Sequence, residues 1–251
     1  MIDLTDRVVL ITGAAGGIGA ATARTIVHAG GQVVLHELRA EGRVRELADE
    51  LGEQAVVAAA DLAEPRAAAK LWSEAVQWRG HVDVLINNAG IYERARLEDD
   101  IDLFLASWER TLAICLVSPA ALCREAINAF RARSGGIIVN LASRAAFRGE
   151  DRDYWHYAAA KAGVVAMTRT IARQYGRDGI TAFAVAPGFV NTAFNDALVE
   201  EYGLDFFAAD TGLGEVAKPQ DLANVITFLA SGLARHATGT TIDVNGASYV
   251  R

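Results

Sequence analysis

VVLITGAAGGIG, residues 8–19, reads as a strand, a glycine turn and the start of a helix. Val8 to Ile11 is a run of branched apolar residues without polar alternation, which suits a strand buried on both faces of a parallel sheet. Thr12 and Gly13 stop it. Apolar positions at Ala21, Ile26 and Val27 then follow helical spacing. Free backbone N–H groups and the helix dipole both point at such a turn and make it an anion site. Glycines there let the backbone approach a pyrophosphate with no Cβ in the way. Glycine-rich turns also join core elements with no ligand at all, so the residues beyond Gly19 decide between the two.

A chain of 251 residues, 52% of them apolar, can bury one large core, and α/β folds of this length are routinely one domain. Only four prolines occur, and no linker or charge block divides the sequence. The net charge of −7 has both signs scattered, which argues against a nucleic-acid backbone as partner. The first residues carry two acids before a base, unlike a secretory leader, and no uninterrupted apolar run reaches the roughly 18 residues of a membrane span. The two cysteines, Cys115 and Cys123, fall on one expected helix, roughly 12 Å apart at about 1.5 Å per residue, too far to bridge. A reduced, soluble, cytoplasmic protein is expected, and no metal-binding cluster is read from the sequence.

Further strands are expected at Gln32–Glu37, Ala55–Ala60, Val82–Ile86, Gly136–Leu141, Ile180–Ala186 and Thr240–Val244. Helices are expected between them: Glu41–Leu51, Glu64–Arg79, about Asp102–Arg131 with Pro119 inside it, Tyr154–Tyr175 and Pro219–Ser231. Strand–helix alternation of this kind gives a doubly wound parallel seven-stranded sheet, a Rossmann fold in a single domain, 1–251. Residues 189–216 interrupt the pattern with Phe189, Phe194, Phe206 and Phe207, which suit either the lining of a pocket or a staple holding this excursion to the body. Glu37, at the tip of the second strand, can accept hydrogen bonds from both hydroxyls of an adenosine ribose and would repel a 2′-phosphate. That favours NAD over NADP.

Several stretches together resemble the short-chain dehydrogenase/reductase family over essentially the whole chain. They are Thr12-Gly13 with Gly17-Ile18-Gly19, Asp61, Asn87-Asn88-Ala89-Gly90, Ser143, Tyr157 with Lys161, Pro187-Gly188 and Thr192. The resemblance implies hydride transfer between a nicotinamide dinucleotide and a small alcohol or ketone, by a homotetramer or homodimer. It implies a cofactor site made of Gly13, Gly16, Gly17, Ile18, Gly19 and Glu37, then Asp61 and Leu62, then Asn88, Ala89 and Gly90. Pro187, Gly188, Val190 and Thr192 complete it, together with Tyr157 and Lys161.

Tyr157 and Lys161 are four apart on one expected helix and so share a face. A tyrosine near pKa 10 is a poor base at neutral pH, and a lysine ammonium beside it, with an oxidised nicotinamide near, favours the phenolate. Ser143, after the fifth strand, can donate to the same substrate oxygen. By similarity to the family, Tyr157 gives or takes the hydroxyl proton, Ser143 polarises the carbonyl, and Lys161 also holds the nicotinamide ribose. Tyr154 is a competing phenol but has Ala158, not lysine, four residues on.

One position departs from the family pattern. The family carries an asparagine on the central helix, seven residues after a tryptophan, where a helix irregularity frees a carbonyl to hold a relay water. Here Trp108 leads to Cys115. Pro119 lacks the N–H that would bond the Cys115 carbonyl, so that carbonyl is freed by sequence alone. The Cys115 side chain itself reads as a small buried apolar group. Arg144, Arg148 and Arg152 flank Ser143; such arginines are more often surface residues paired with neighbours than contacts to an anionic substrate. Two other readings stand beside the leading one. A 3-oxoacyl-thioester reductase would normally use NADP, which Glu37 opposes. A non-catalytic dinucleotide sensor would not need Ser143, Tyr157 and Lys161 together.

Overall fold

Runs such as Val8–Thr12 form central strands because every residue in them finds apolar cover, odd positions on one face of the sheet and even positions on the other. In the computed structural model, which describes residues 2–133 and 135–251, the strands are β1 Val8–Thr12, β2 Gln32–Glu37, β3 Ala55–Ala59, β4 Val84–Asn87, β5 Gly136–Leu141, β6 Ile180–Pro187 and β7 Thr241–Val244. They form one seven-stranded sheet in the order β3-β2-β1-β4-β5-β6-β7, and every neighbouring pair is parallel. Strand order reverses between β1 and β4, where an open parallel sheet leaves a crevice at its carboxyl edge.

Helices cover both faces. Val9 and Ile11 pack in one layer with α1 (Gly17–His28), α2 (Arg43–Leu51) and α10 (Pro219–Ala230), through Ile26, Leu47 and Ile226. Val8 and Leu10 pack in the other, against α3 (Ala67–Arg79), α5 (Ser118–Arg131) and α7 (Trp155–Tyr175), through Leu71, Phe130 and Ile171. Expected boundaries fall within three residues of those observed.

The expected continuous helix over 102–131 differs. It divides into α4 (Ile101–Leu112), one π-helical turn at Ala113–Val117, and α5. Within the turn the Ser118 N–H donates to the Ala113 carbonyl, five residues back. Pro119 has no N–H to continue the ordinary ladder at Cys115, so the extra residue is taken up here. By length and composition Ile101–Arg131 is apolar enough to cross a membrane, yet it packs within this domain against α3 and α7.

Three short helices were not expected: α6 (Ala145–Arg148) after Ser143, and α8 (Asp196–Tyr202) and α9 (Leu204–Ala209) inside the 189–216 excursion. Val190 bridges Ala217 at the root of that excursion, and Phe194, Phe206 and Asp210 within it line the cleft at the sheet edge; we call this excursion the lid.

Candidate active site

The glycine turn is fixed by side chains from three strands. Thr12 Oγ1 accepts from the backbone N–H groups of Asn88 (2.9 Å) and Ala89 (3.0 Å). Asn88 Nδ2 returns bonds to the Thr12 and Gly13 carbonyls, each at 2.9 Å. Gly13 needs a positive φ of 63°. A Cβ on Gly19 would lie 2.3 Å from the Gly13 carbonyl oxygen and 2.9 Å from Ala14 Cα, so only glycine lets α1 start this close to the turn.

His36 is the third support and the sequence reading missed it. It is buried, its Nδ1 accepts from Gly13 N–H at 3.3 Å, and its Nε2 lies 3.0 Å from the Ala60 carbonyl. Those partners assign the neutral tautomer with the proton on Nε2. Burial lowers the pKa of this imidazole, against the opposing pull of the Ala60 hydrogen bond and Glu37.

Helix α1 begins with no side-chain cap and no acidic residue in its first turn. Among the described residues, the N–H groups of Gly17, Ile18 and Gly19 have no protein acceptor. An uncapped helix start with three spare donors fits the pyrophosphate of a dinucleotide, by both hydrogen bonding and dipole. Glu37 lies on the same cleft, its Oε1 accepting from Leu38 N–H at 3.0 Å. Asp61, Leu62, Asn88, Ala89 and Gly90 line this half as well, as do Gly13, Gly16, Gly17 and Ile18. Pro187, Gly188, Val190 and Thr192 close it from the lid side, Thr192 lying directly over Gly17.

Ser143, Tyr157 and Lys161 line the same cleft. Its volume, about 1470 Å³, exceeds the roughly 300–1,000 Å³ of a single drug-sized site and suits a dinucleotide with a second ligand beside it. Lys161 is buried and its Nζ donates to the Leu141 carbonyl at 2.8 Å, 5.5 Å from the centre of the Tyr157 ring. Burial, with Cys115 adding to it, raises the Tyr157 pKa, and the Ser143 hydroxyl acts the other way. Burial lowers that of Lys161. Among the protein groups burial is thus the largest influence on the phenol, and the depression expected with an oxidised nicotinamide beside it belongs to the dinucleotide-bound state.

Cys115 is wholly buried behind Gly90 and Ile91. Its Sγ is 3.5 Å from Ile91 N and 3.6 Å from Ile91 O, so the side chain faces the site and steadies the segment after Asn88-Ala89-Gly90. It does not itself reach the cleft wall.

The substrate half is built largely of aromatic rings. Tyr92 stacks on Tyr154, with centroids 3.9 Å apart, and meets Tyr157 edge-on at 4.9 Å. Phe189 stacks on Phe207 at 3.6 Å. The lid phenylalanines thus do both things expected of them: Phe189 is buried as a staple, while Phe194 and Phe206 are exposed on the cleft. The Tyr154 hydroxyl accepts from Arg94 Nε at 3.1 Å. Tyr92 and the buried chain that Asn87 forms with Asn140 and Thr168 behind the site (2.8 and 2.9 Å) escaped the sequence reading, since nothing local distinguishes Tyr92, Asn140 and Thr168 from ordinary loop, strand and helix residues.

A family model described as enoyl-(acyl carrier protein) reductase matches residues 13–247. The chain is 35% identical over 247 residues to the (2S)-[(R)-hydroxy(phenyl)methyl]succinyl-CoA dehydrogenase subunit BbsD of Thauera aromatica, covering 97% of this chain and 96% of that one. It is 36% identical over 244 residues to cis-4-hydroxycyclohexanecarboxylate dehydrogenase of Sinomonas cyclohexanicum, covering 96% of each. A crystal structure of a short-chain dehydrogenase/reductase, glucose/ribitol dehydrogenase, from Brucella melitensis superposes with a TM-score of 0.90 at 33% identity, over 100% of this chain and 99% of the other. The chain belongs to the short-chain dehydrogenase/reductase family. It is an oxidoreductase of that family's Rossmann type, working with a nicotinamide dinucleotide and a small-molecule substrate. That sets aside the non-catalytic sensor.

Proposed function

We propose that this short-chain dehydrogenase/reductase is NAD-dependent and acts at the carbinol or carbonyl carbon of a small secondary alcohol or ketone. The observation that carries the reading is the convergence of Ser143, Tyr157 and Lys161 on one cleft with an uncapped glycine turn and Glu37. Bound along the turn, the dinucleotide supplies the hydride acceptor or donor. Tyr157 Oη gives or takes the hydroxyl proton, and Ser143 Oγ holds the substrate oxygen. Lys161 Nζ, anchored on the Leu141 carbonyl, keeps a positive charge near the phenol and binds the nicotinamide ribose. The freed Cys115 carbonyl holds the water that links Lys161 to solvent. Glu37 receives the adenosine ribose hydroxyls. The names of the Thauera and Sinomonas relatives both describe secondary alcohols, which supports the substrate class.

The test is a turnover screen of the purified chain with NAD and NADP over cyclic alcohols, hydroxy acids, polyols and 3-oxoacyl thioesters. NAD-linked oxidation of a secondary alcohol, lost in Tyr157→Phe, is the expected result. A second reading, a 3-oxoacyl-thioester reductase, draws on the acyl-carrier wording of the matched family. It predicts NADPH-linked reduction of acetoacetyl-CoA in the same screen. We also propose a cytoplasmic homotetramer or homodimer. The free cysteines suit a reducing compartment. Exposed Leu103, Leu105, Val117 and Trp155 suit burial against a second copy, which light scattering would detect.

A further inference from the structure

Arg144 and Arg148 stand four residues apart across α6, so their side chains share one face, an arrangement in which like charges repel. Arg144 follows Ser143 directly and is only 7% exposed. Both guanidinium groups converge on a single oxygen of one carboxylate from the lid. Arg144 Nη1 is 2.7 Å and Arg148 Nη1 3.1 Å from Asp210 Oδ2. Two positive charges therefore share one negative charge. Each planar fork has five donors, and among the described residues the remaining ones of both side chains meet no protein acceptor. The unpartnered donors of Arg144 are not sealed in protein, and both arginines line the catalytic cleft. A buried arginine held in place by a lid carboxylate, with its other edge free, suits bidentate capture of a second carboxylate.

The surroundings agree in kind. Glu150 also lines the cleft but makes no ion pair with either arginine among the described residues, and burial holds its pKa above the ordinary carboxylate value. Arg94 is engaged by Glu201 and by the Tyr154 hydroxyl, and Arg152, 3.7 Å from Asp153, is largely exposed, so neither is a buried guanidinium like Arg144. The same cleft is lined by the stacked rings of Tyr92 and Tyr154 and those of Phe189 and Phe207, which give it apolar surface for the body of a ligand.

Resting on the dehydrogenase reading above, we propose that Arg144 and Arg148 form a carboxylate-binding subsite, and that the substrate is a hydroxy or oxo acid with a flat apolar body. Asp210 positions the two guanidinium groups, and its pairing with them ties lid closure to the same site. The reacting carbon sits at Tyr157 and Ser143 while the acid group is held at Arg144, the residue next to Ser143.

The test is a calorimetric titration of the full chain with benzoate and with benzamide, its neutral near-isostere, each with and without NADH. Benzoate is expected to bind at least tenfold more tightly than benzamide, and Arg148→Met to bring the two affinities together. Arg144→Met should do the same; because that residue is buried, the more exposed Arg148 variant guards against a folding failure. Equal affinities in the unsubstituted chain, no detectable benzoate binding, or a preference that survives Arg148→Met would overturn the proposal. NADH binding in the same titrations reports separately on the dinucleotide reading, so the two can fail independently.

Discussion

In the dinucleotide half of the cleft the working groups are mostly backbone, whereas in the substrate half they are side chains brought together from a lid and two loops. Around Gly13 the geometry is fixed by Thr12, Asn88 and His36 through hydrogen bonds of 2.9–3.3 Å between neighbouring strand ends. Beyond Tyr157 it is fixed by stacked rings and by ion pairs between elements far apart in the chain, such as Arg144 with Asp210. The first half is rigid because sheet register sets it. The second can be changed by replacing side chains without disturbing the sheet, which is where specificity within one fold is free to vary.

The sharpest way to break this comparison lies at the boundary of the two halves. Tyr157→Phe should keep dinucleotide binding but cut turnover by about a hundredfold or more, the usual scale for a lost general acid–base group. Steady-state kinetics beside a cofactor titration measure both, and retained turnover would move the proton to another group. Gly19→Ala tests the backbone half. With 2.3 Å between the new Cβ and the Gly13 oxygen, it should cost about 1–3 kcal/mol of stability and weaken dinucleotide binding, read by urea unfolding and titration. Substitutions on the substrate side, Phe206→Ala for example, should leave stability within about 0.5 kcal/mol.

Glu37 should give NAD an advantage over NADP of at least about tenfold in kcat/KM, or about 1.4 kcal/mol. Glu37→Ala should narrow it, and equal rates with both cofactors would remove the carboxylate from the ribose site. Beside His156, whose pKa burial also lowers, His36 contributes to the pH dependence. Its folded pKa lies below the ordinary value of 6.5, so in acid the unfolded chain takes up a proton that the folded chain resists. The His36 contribution is then flat above about pH 6.5 and falls as pH drops towards the folded pKa, by at most about 1.4 kcal/mol per pH unit. His36→Asn should reduce the slope in denaturant unfolding across mildly acidic pH, and a slope unchanged in the variant would assign it to His156 and other groups.

The smallest effect is expected at the π turn. Pro119 is the second residue of α5, in its first turn, where proline is tolerated, so Pro119→Ala should shift the melting temperature little. It restores an N–H opposite the Cys115 carbonyl and should lower kcat by less than about tenfold at saturating ligands. Cys115→Ser should keep most activity. The reverse ranking would give the thiol, which touches Ile91, the larger part.

Local chemistry determined the dinucleotide half. The run Val8–Ile11, the glycines after it and the four-residue spacing of Tyr157 and Lys161 each carry their meaning within one turn or strand, because a buried parallel strand, a helix start and a helix face have short periods. Pro119 likewise announced a break at Cys115, although not that it would be a π turn. Only tertiary structure decided the rest. His36 looks like one more strand residue until β1 and β3 place Gly13 and Ala60 against its two nitrogens. Arg144 and Arg148 look like surface charges until the lid folds Asp210 back across some sixty residues of chain. Tyr92 is a loop tyrosine until α7 sets Tyr154 and Tyr157 around it. Sequence periodicity reports the faces of single elements; which faces meet depends on packing between residues distant in the chain, and the substrate half consists of such meetings.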